Sequence, residues 1–316
     1  MANAIEAHGL TKSYGSTRAL DGIDLEVPQG TVLGVLGPNG AGKTTAVRIL
    51  ATLLRPDAGT AIVSGFDVVH QSKEVRRSIG LTGQYASVDE DLTGMENLVM
   101  IGQLLDLSTK NARARATELL AEFDLTDAGR RLAKTYSGGM RRRLDLAASL
   151  IGRPNVVFLD EPTTGLDPAK RDDVWDMIRS LVRQGTTVLL TTQYLEEADA
   201  LANEITVNDH GRVIAHDTPQ GLKRQVGGQT LEVRPALLAD MHRVTAMLAS
   251  VGTREPEHPA PDLVSVPVPG EDALTRVVAE LAAERIGVTE LSLRLPSLDE
   301  VFYSLTGHTD STEAAA

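Results

Sequence analysis

The sequence predicts an α/β fold: a largely parallel sheet wrapped in helices and built around a glycine-rich loop. A small antiparallel sheet, a helical insert and a compact α+β module complete it. Three observations carry this expectation. Gly37-Pro38-Asn39-Gly40-Ala41-Gly42-Lys43-Thr44-Thr45 fits the pattern G-x-x-x-x-G-K-[ST], between an apolar run at Thr31–Leu36 and a helical stretch at Ala46–Leu50. A second apolar run, Val156-Val157-Phe158-Leu159, ends in the paired carboxylates Asp160-Glu161. Beyond Lys223 the composition shifts: lysine disappears and carboxylates outnumber arginines.

The phosphate-binding loop (P-loop) explains its own residue types. Gly37, Gly40 and Gly42 let backbone N–H groups turn inward and approach phosphate oxygens with no Cβ in the way. A helix opening at Gly42 adds the partial positive charge of its N-terminus. Lys43 supplies a cation for β- and γ-phosphates, and the Thr44 hydroxyl is placed for Mg²⁺. The bland alternative is a glycine-rich βα turn with an incidental lysine, but the strand-loop-helix context argues for a nucleoside triphosphate site. At the end of the second apolar strand, Asp160 suits contact with Mg²⁺ at the phosphates, on the expectation that this strand runs beside the P-loop strand. Glu161, one residue on, points elsewhere and suits taking a proton from an attacking water.

The remaining elements follow in chain order. Residues 3–28 alternate apolar and polar around turn signals at Tyr14-Gly15-Ser16 and Asp21-Gly22, which reads as antiparallel strands, with Thr60–Val63 as another. Tyr14, in the first loop, reads by itself as an edge packing residue. Residues 72–83 lead into Gln84 and a polar stretch. Apolar residues then recur at helical spacing over 94–107 and 109–123, giving a helical subdomain over about 86–152. Ser137 is an N-cap for a helix from Gly138 to about Ile151, a segment that alone is only a capped amphipathic helix. An amphipathic helix over 168–183, a buried strand over 186–192 ending at Gln193, an acidic helix over 195–201 and a hairpin around Asp209-His210-Gly211 complete the parallel-sheet domain. Its ligand is expected beyond the strand C-termini. Gln225–Gln229 is expected to be flexible and marks a boundary, giving domains at 1–225 and 229–308 and a disordered tail at 309–316. The second domain reads as β-α-β-β-α-β with a weak third strand near Thr253, and it carries no phosphate-binding pattern.

Composition narrows the class. With 316 residues, 42% hydrophobic and 23% charged, the chain has material for two ordinary globular domains. No apolar run reaches the roughly 18 residues that would span a bilayer, and no signal peptide is expected, so a membrane role must pass through a partner. The absence of cysteine excludes disulfides and thiolate metal sites and agrees with a cytosolic setting. A formal charge of −12 argues against general nucleic-acid binding, although Arg141-Arg142-Arg143 is a local basic patch.

The ordered set of P-loop, Gln84, Tyr136-Ser137-Gly138-Gly139-Met140, Val156–Glu161, Gly165-Leu166-Asp167 and Gln193 resembles the nucleotide-binding domain of an ABC transporter over residues 3 to about 225. Thr191-Thr192-Gln193-Tyr194-Leu195-Glu196-Glu197-Ala198-Asp199 and the C-terminal Leu295-Pro296-Ser297-Leu298-Asp299-Glu300-Val301-Phe302 look like the daunorubicin-resistance branch of drug-export ATPases. The resemblance implies an ABC ATPase fold. Tyr14 would stack on adenine; Pro38, Asn39, Ala41 and Thr45 would join the glycines, Lys43 and Thr44 around ATP; and Gln84 would touch Mg²⁺ and the attacking water. Ser137, Gly138 and Gly139 would contact the γ-phosphate held by a second copy, so that a homodimer sandwiches two ATPs, with Asp167 at its interface. Gln193 would stand in the switch position, usually histidine, and Tyr136 and Met140 replace the ends of the usual Leu-Ser-Gly-Gly-Gln signature.

The resemblance further implies a peripheral subunit at the cytoplasmic face of the membrane. A separate membrane permease would dock on the insert around Tyr85–Asn97, and the cargo would be a hydrophobic antibiotic of the anthracycline kind. A lipid or polysaccharide exporter stays open, because cargo chemistry lives in the partner. A ribosome-protecting factor would resemble two fused nucleotide domains with a basic linker, and a switch GTPase would need an Asn-Lys-x-Asp motif. This chain has neither.

Overall fold

A computed structural model of the protein describes residues 2–83, 88–226, 229–270 and 272–306. Gln84, the glycines of the expected flexible boundary and the tail expected at 309–316 lie outside the described residues. The chain forms two compact units, Met1–Thr218 and Pro219–Ala316. The division thus falls before the helix at 219–226, which packs against the last helix of its own unit, and not at 225–229.

In the first unit, strands β1 (Asn3–Tyr14) and β2 (Thr17–Pro28) form a hairpin, followed by β3 (Val32–Leu36) and helix α1 (Lys43–Leu50). Then come β4 (Ala58–Val63), β5 (Phe66–Asp67), α2 (Ser72–Ser78), β6 (Ile79–Thr82), α3 (Gly94–Leu104), α4 (Thr109–Glu122) and α5 (Gly138–Ser149). The unit closes with β7 (Val156–Asp160), α6 (Pro168–Arg183), β8 (Thr187–Thr192), α7 (Leu195–Leu201), β9 (Glu204–Asp209) and β10 (Arg212–Asp217).

Two sheets result. One is antiparallel, in the order β2-β1-β4-β5; the other runs β10-β9-β3-β8-β7-β6, parallel except for β10 at its edge. Every residue of β3, β7 and β8 is buried, as expected for a parallel sheet covered on both faces. The hairpin turn falls at Gly15-Ser16, whereas Asp21-Gly22, expected to turn, stays inside β2. Gly22 there takes a left-handed φ of 78°, beside register shifts in the β1–β2 ladder. A second expectation also changes: β7 does not run beside β3. Strand β8 lies between them, and Thr191 is the residue in register with Asp160.

The helical insert is held by local hydrogen bonds. Thr93 and Glu96 cap α3 reciprocally, with Glu96 N donating to Thr93 Oγ1 at 3.2 Å and Thr93 N donating to Glu96 Oε2 at 2.9 Å. Asn97, fully buried, donates to Asp89 O at 2.9 Å and accepts from Asp89 N at 2.7 Å, pinning the loop that leads into the helix.

The second unit contains α8 (Pro219–Val226), β11 (Gln229–Pro235), α9 (Met241–Val251), β12 (Glu257–Ala260), β13 (Leu263–Val268), α10 (Asp272–Ala283), β14 (Val288–Arg294) and α11 (Leu298–Thr306). Its antiparallel sheet runs β12-β13-β11-β14, and the buried faces of β11 and β13 join α9 and α10 in one core. The weak third strand is β12, in the proline-rich link, and not at Thr253. Residues 257–260 pair with β13, and Thr253 only donates its N–H to Pro267 O at 2.8 Å. Helix α9 starts at Met241, later than the apolar spacing from Ala236 implies, because a 3₁₀ turn at Leu238–Asp240 precedes it.

Candidate nucleotide site

The site is built at the carboxyl ends of the parallel strands. The P-loop leaves β3 and closes at Gly42, which caps α1 with φ 94°, while Gly40 takes φ 85° with open space where a Cβ would stand. A Cβ on Gly37 would lie 2.3 Å from the Asn208 carbonyl oxygen, and one on Gly42 would lie 2.3 Å from that of Ala19. Glycine is thus required at these two positions by close packing on β9 and β2, and Gly40 leaves the cradle open.

Lys43 is only 5% exposed; its Nζ donates to Gly37 O at 2.7 Å and Pro38 O at 3.1 Å, so the ammonium lies along the inner rim of the loop. Burial pushes its pKa below that of an ordinary lysine, opposed by the charges of Glu161 and Asp160.

Thr44 Oγ1 donates toward both oxygens of Asp160, at 3.3 and 3.2 Å. The Thr191 hydroxyl, from the intervening strand β8, also donates to Asp160 Oδ1. A buried carboxylate and a hydroxyl converge beside the glycine-rich loop, and hard oxygen donors of this kind would suit Mg²⁺. Among the described residues no group of three or more His, Cys, Asp or Glu side chains is placed to hold a metal ion.

Glu161 is 8% exposed and sits in the left-handed region with φ 51°, its N–H bonded to Thr191 O at 3.0 Å. A non-glycine residue held there is strained, and the neighbouring strand enforces the conformation that turns its side chain off the line of β7. Thr164 Oγ1 donates to Glu161 Oε2 at 3.3 Å.

The other expected residues make no hydrogen bond to this cluster among the described residues. Tyr14 is about half exposed at the hairpin end, and Gln193 is exposed just past β8. Ser137 caps α5, accepting from Met140 N at 3.3 Å, and both it and Gly138 are exposed. Asp167 caps α6, accepting from Lys170 N at 3.0 Å. The Lys170 side chain holds its carboxyl below the usual carboxylate range, and a Cβ on Gly139 would lie 3.0 Å from Lys170 Cδ. Among the described residues, no hydrogen bond of Ser137, Gly138, Gly139 or Asp167 reaches the P-loop of the same chain.

Residues 20–164 match the ABC transporter family, and residues 218–306 match the C-terminal domain of DrrA1-3-like ATP-binding proteins. The chain is 60% identical over 314 residues to the daunorubicin resistance ATP-binding protein DrrA2 of Streptomyces coeruleorubidus, covering 98% of each chain. It belongs to the ATP-binding subunits of ABC transporters, in the daunorubicin-resistance branch. It is 54% identical to the daunorubicin/doxorubicin resistance ATP-binding protein DrrA of Streptomyces peucetius, over 99% of this chain and 96% of that one. The ADP conformation of MJ1267, an ATP-binding cassette of an ABC transporter, has the same fold: TM-score 0.64 at 24% identity, over 70% of this chain and 93% of that chain. The chain is therefore an ATPase of the ABC class. Proteins of this class dimerise and work with membrane components, and no described helix here is long and apolar enough to cross a membrane.

In this ABC ATPase the two unusual signature residues have different fates. Tyr136 is buried, its hydroxyl donating to Ala128 O at 2.7 Å and standing where a Cβ on Gly94 would collide at 2.3 Å. It locks the insert together, and burial raises the phenol's pKa. Met140 packs at the edge of the core.

Sequence reading missed three contributors. Thr191 looked like one more strand residue. Glu197 looked like part of the acidic outer face of α7, yet it is fully buried and accepts from Trp175 Nε1 at 3.2 Å; burial raises its pKa against the Thr192, Thr163 and Trp175 donors. The third correction concerns the basic patch. Arg141 pairs with Glu90 at 2.7 Å and Arg143 with Asp124 at 3.4 Å, while Arg142 turns inward. Position on α5 distributes the three charges in three directions, because consecutive helical residues do not face one way.

Proposed function

We propose that this chain is the Mg²⁺-dependent ATP-hydrolysing subunit of a two-component exporter that removes a hydrophobic antibiotic of the anthracycline kind. It acts at the cytoplasmic face of the membrane against a separate permease. The observation that carries the cargo class is the 60% identity, spanning both units, with a daunorubicin resistance ATP-binding protein. On this reading the P-loop residues and Lys43 hold the phosphates, Thr44 and Asp160 hold Mg²⁺, Glu161 takes a proton from the attacking water, and Gln193 contacts the γ-phosphate. Mg²⁺, when bound, neutralises phosphate charge. Gln84 and Tyr14 take the water-contacting and adenine-stacking roles. The exposed Ser137 and Gly138, with Gly139 and Asp167, serve the nucleotide of a second copy, which explains why they stand free of the P-loop in their own chain. The unit at 219–306 docks or regulates the permease.

Efflux is the test. The chain is co-expressed with the membrane protein encoded beside its gene in an anthracycline-sensitive bacterium, and doxorubicin accumulation is followed by its fluorescence. Wild-type chain should lower accumulation and Glu161→Gln should not, while the purified variant retains ATP and forms an ATP-dependent dimer on a sizing column. Accumulation unchanged by a wild-type chain that hydrolyses ATP overturns the cargo assignment.

A further inference from the structure

Arg142 sits in the second turn of α5, with a side chain only 13% exposed, and its guanidinium reaches two other segments. Nε donates to Pro162 O at 2.6 Å, Nη2 to Glu161 O at 3.1 Å and Nη1 to Gly83 O at 3.1 Å, and Asp145 Oδ2, 1% exposed, lies 3.5 Å from Nη1. Gly83 follows β6 and Glu161-Pro162 follow β7, neighbouring strands in parallel register with Thr82 opposite Leu159. The planar fork therefore closes the gap between two strand ends. A lysine could not do this, because a single ammonium cannot reach three carbonyls spread along the edge of a guanidinium. Taking that charge out of water is costly and lowers the arginine's pKa, while Asp145, Glu197 and Asp160 hold it charged.

The near end of α5, one turn before Arg142, is its exposed N-terminus at Ser137 and Gly138. Arg142 thus fixes, through backbone carbonyls, the orientation of that N-terminus relative to the strained residue Glu161.

We infer that Arg142 is a positioning residue that couples the two nucleotide sites of the dimer. By tying the backbone of its own site's Glu161 to α5, it sets the end of α5 that meets the partner's nucleotide. This rests on the two-ATP sandwich proposed above. Arg142 touches neither the P-loop nor the phosphate cradle, so nucleotide affinity should survive its substitution while turnover does not.

The test uses full-length mixed dimers, purified through two different tags, in which one copy carries Glu161→Gln, which keeps its ATP, so that only one site can turn over. Arg142→Lys, which keeps a charge beside Asp145, is placed either in the copy that supplies the working P-loop and Glu161 or in the copy that supplies the α5 N-terminus to it. Both placements should lower kcat by about tenfold, with the concentration of ATP giving half-maximal rate moved by less than about threefold. A loss confined to the first placement makes Arg142 a local support for Glu161 and overturns the coupling, as does no loss in either. Arg142→Gln is assayed in parallel, and nucleotide binding by each preparation verifies folding. If the Glu161→Gln and wild-type copies, both able to hold ATP, form no ATP-dependent dimer at all, the sandwich reading itself fails, an outcome distinct from loss of coupling within an intact dimer.

Discussion

The hydroxyl of Thr44, on the helix that leaves the P-loop, lies 3.2 Å from Oδ2 of Asp160, at the end of a strand two places away in the sheet. The intervening strand β8 contributes to the same carboxylate through the Thr191 hydroxyl. Three elements far apart in sequence therefore converge on one acid, because parallel strands in register bring their carboxyl ends to a common edge.

Asp160→Asn keeps an acceptor for both hydroxyls but removes the charge. ATP affinity measured in excess EDTA should change little, while the gain on adding Mg²⁺ should shrink at least tenfold, the loss of charge-assisted contacts worth about 1.5–3 kcal/mol each. Calorimetric titrations with and without Mg²⁺ check this, and an undiminished Mg²⁺ effect would remove Asp160 from the metal site.

Lys43→Ala should abolish tight ATP binding, with a loss of at least tenfold. In the free chain Lys43 also satisfies the carbonyls of Gly37 and Pro38, so the variant loosens the loop as well as deleting the cation. Titration of ATP into Lys43→Ala and Lys43→Arg separates the two effects: restored affinity in the arginine variant assigns the loss to charge.

Much of this site was legible because its residues are adjacent in the chain. The P-loop and Asp160-Glu161 are contiguous motifs, and a fully buried strand announces itself as an apolar run. What escaped was set by tertiary register. Nothing in Val156–Asp160 says which strand is its neighbour, so β8 was not expected between β3 and β7, and Thr191 stayed invisible. Arg142 was read with Arg141 and Arg143 as surface charge, since sequence proximity does not show that one helix face is buried against two strand ends. The strand β12 hid in a proline-rich stretch because it lies at the sheet edge, where a missing N–H is tolerated.

Glu197 makes stability depend on pH. It is buried among Trp175, Thr163 and Thr192, with Arg171 and Arg142 as the nearby charges, and burial raises its carboxyl pKa above 4.5. A carboxyl whose pKa is higher folded than unfolded binds a proton more tightly in the folded state. Stability is thus lost as pH rises from the unfolded value through the folded one. Glu197→Gln has no such proton. Relative to wild type it should gain stability between about pH 5 and about pH 8, read by urea denaturation at both values. An equal difference at the two pH values would show that the carboxyl does not titrate with folding.

On the proposed reading Gln193 stands in the switch position, where the family usually has histidine. It follows Thr192, whose partner in register is Leu36, the last residue before the P-loop, and it stands exposed at the carboxyl edge where the phosphates would lie. A histidine there would titrate near its ordinary pKa of about 6.5 and change its contact with phosphate across physiological pH. The glutamine amide can donate to a phosphate oxygen and accept from a neighbour, with no such transition. The pH–rate profile of the wild-type chain should therefore lack an acid limb from this position, and Gln193→His should introduce or shift one between roughly pH 6 and 8. Gln193→Ala separates a working contact from a mere strand-end residue. If the contact matters most as the γ-phosphate departs, kcat should fall far more than ATP affinity. An alanine variant that turns over ATP at the wild-type rate would take Gln193 out of the site.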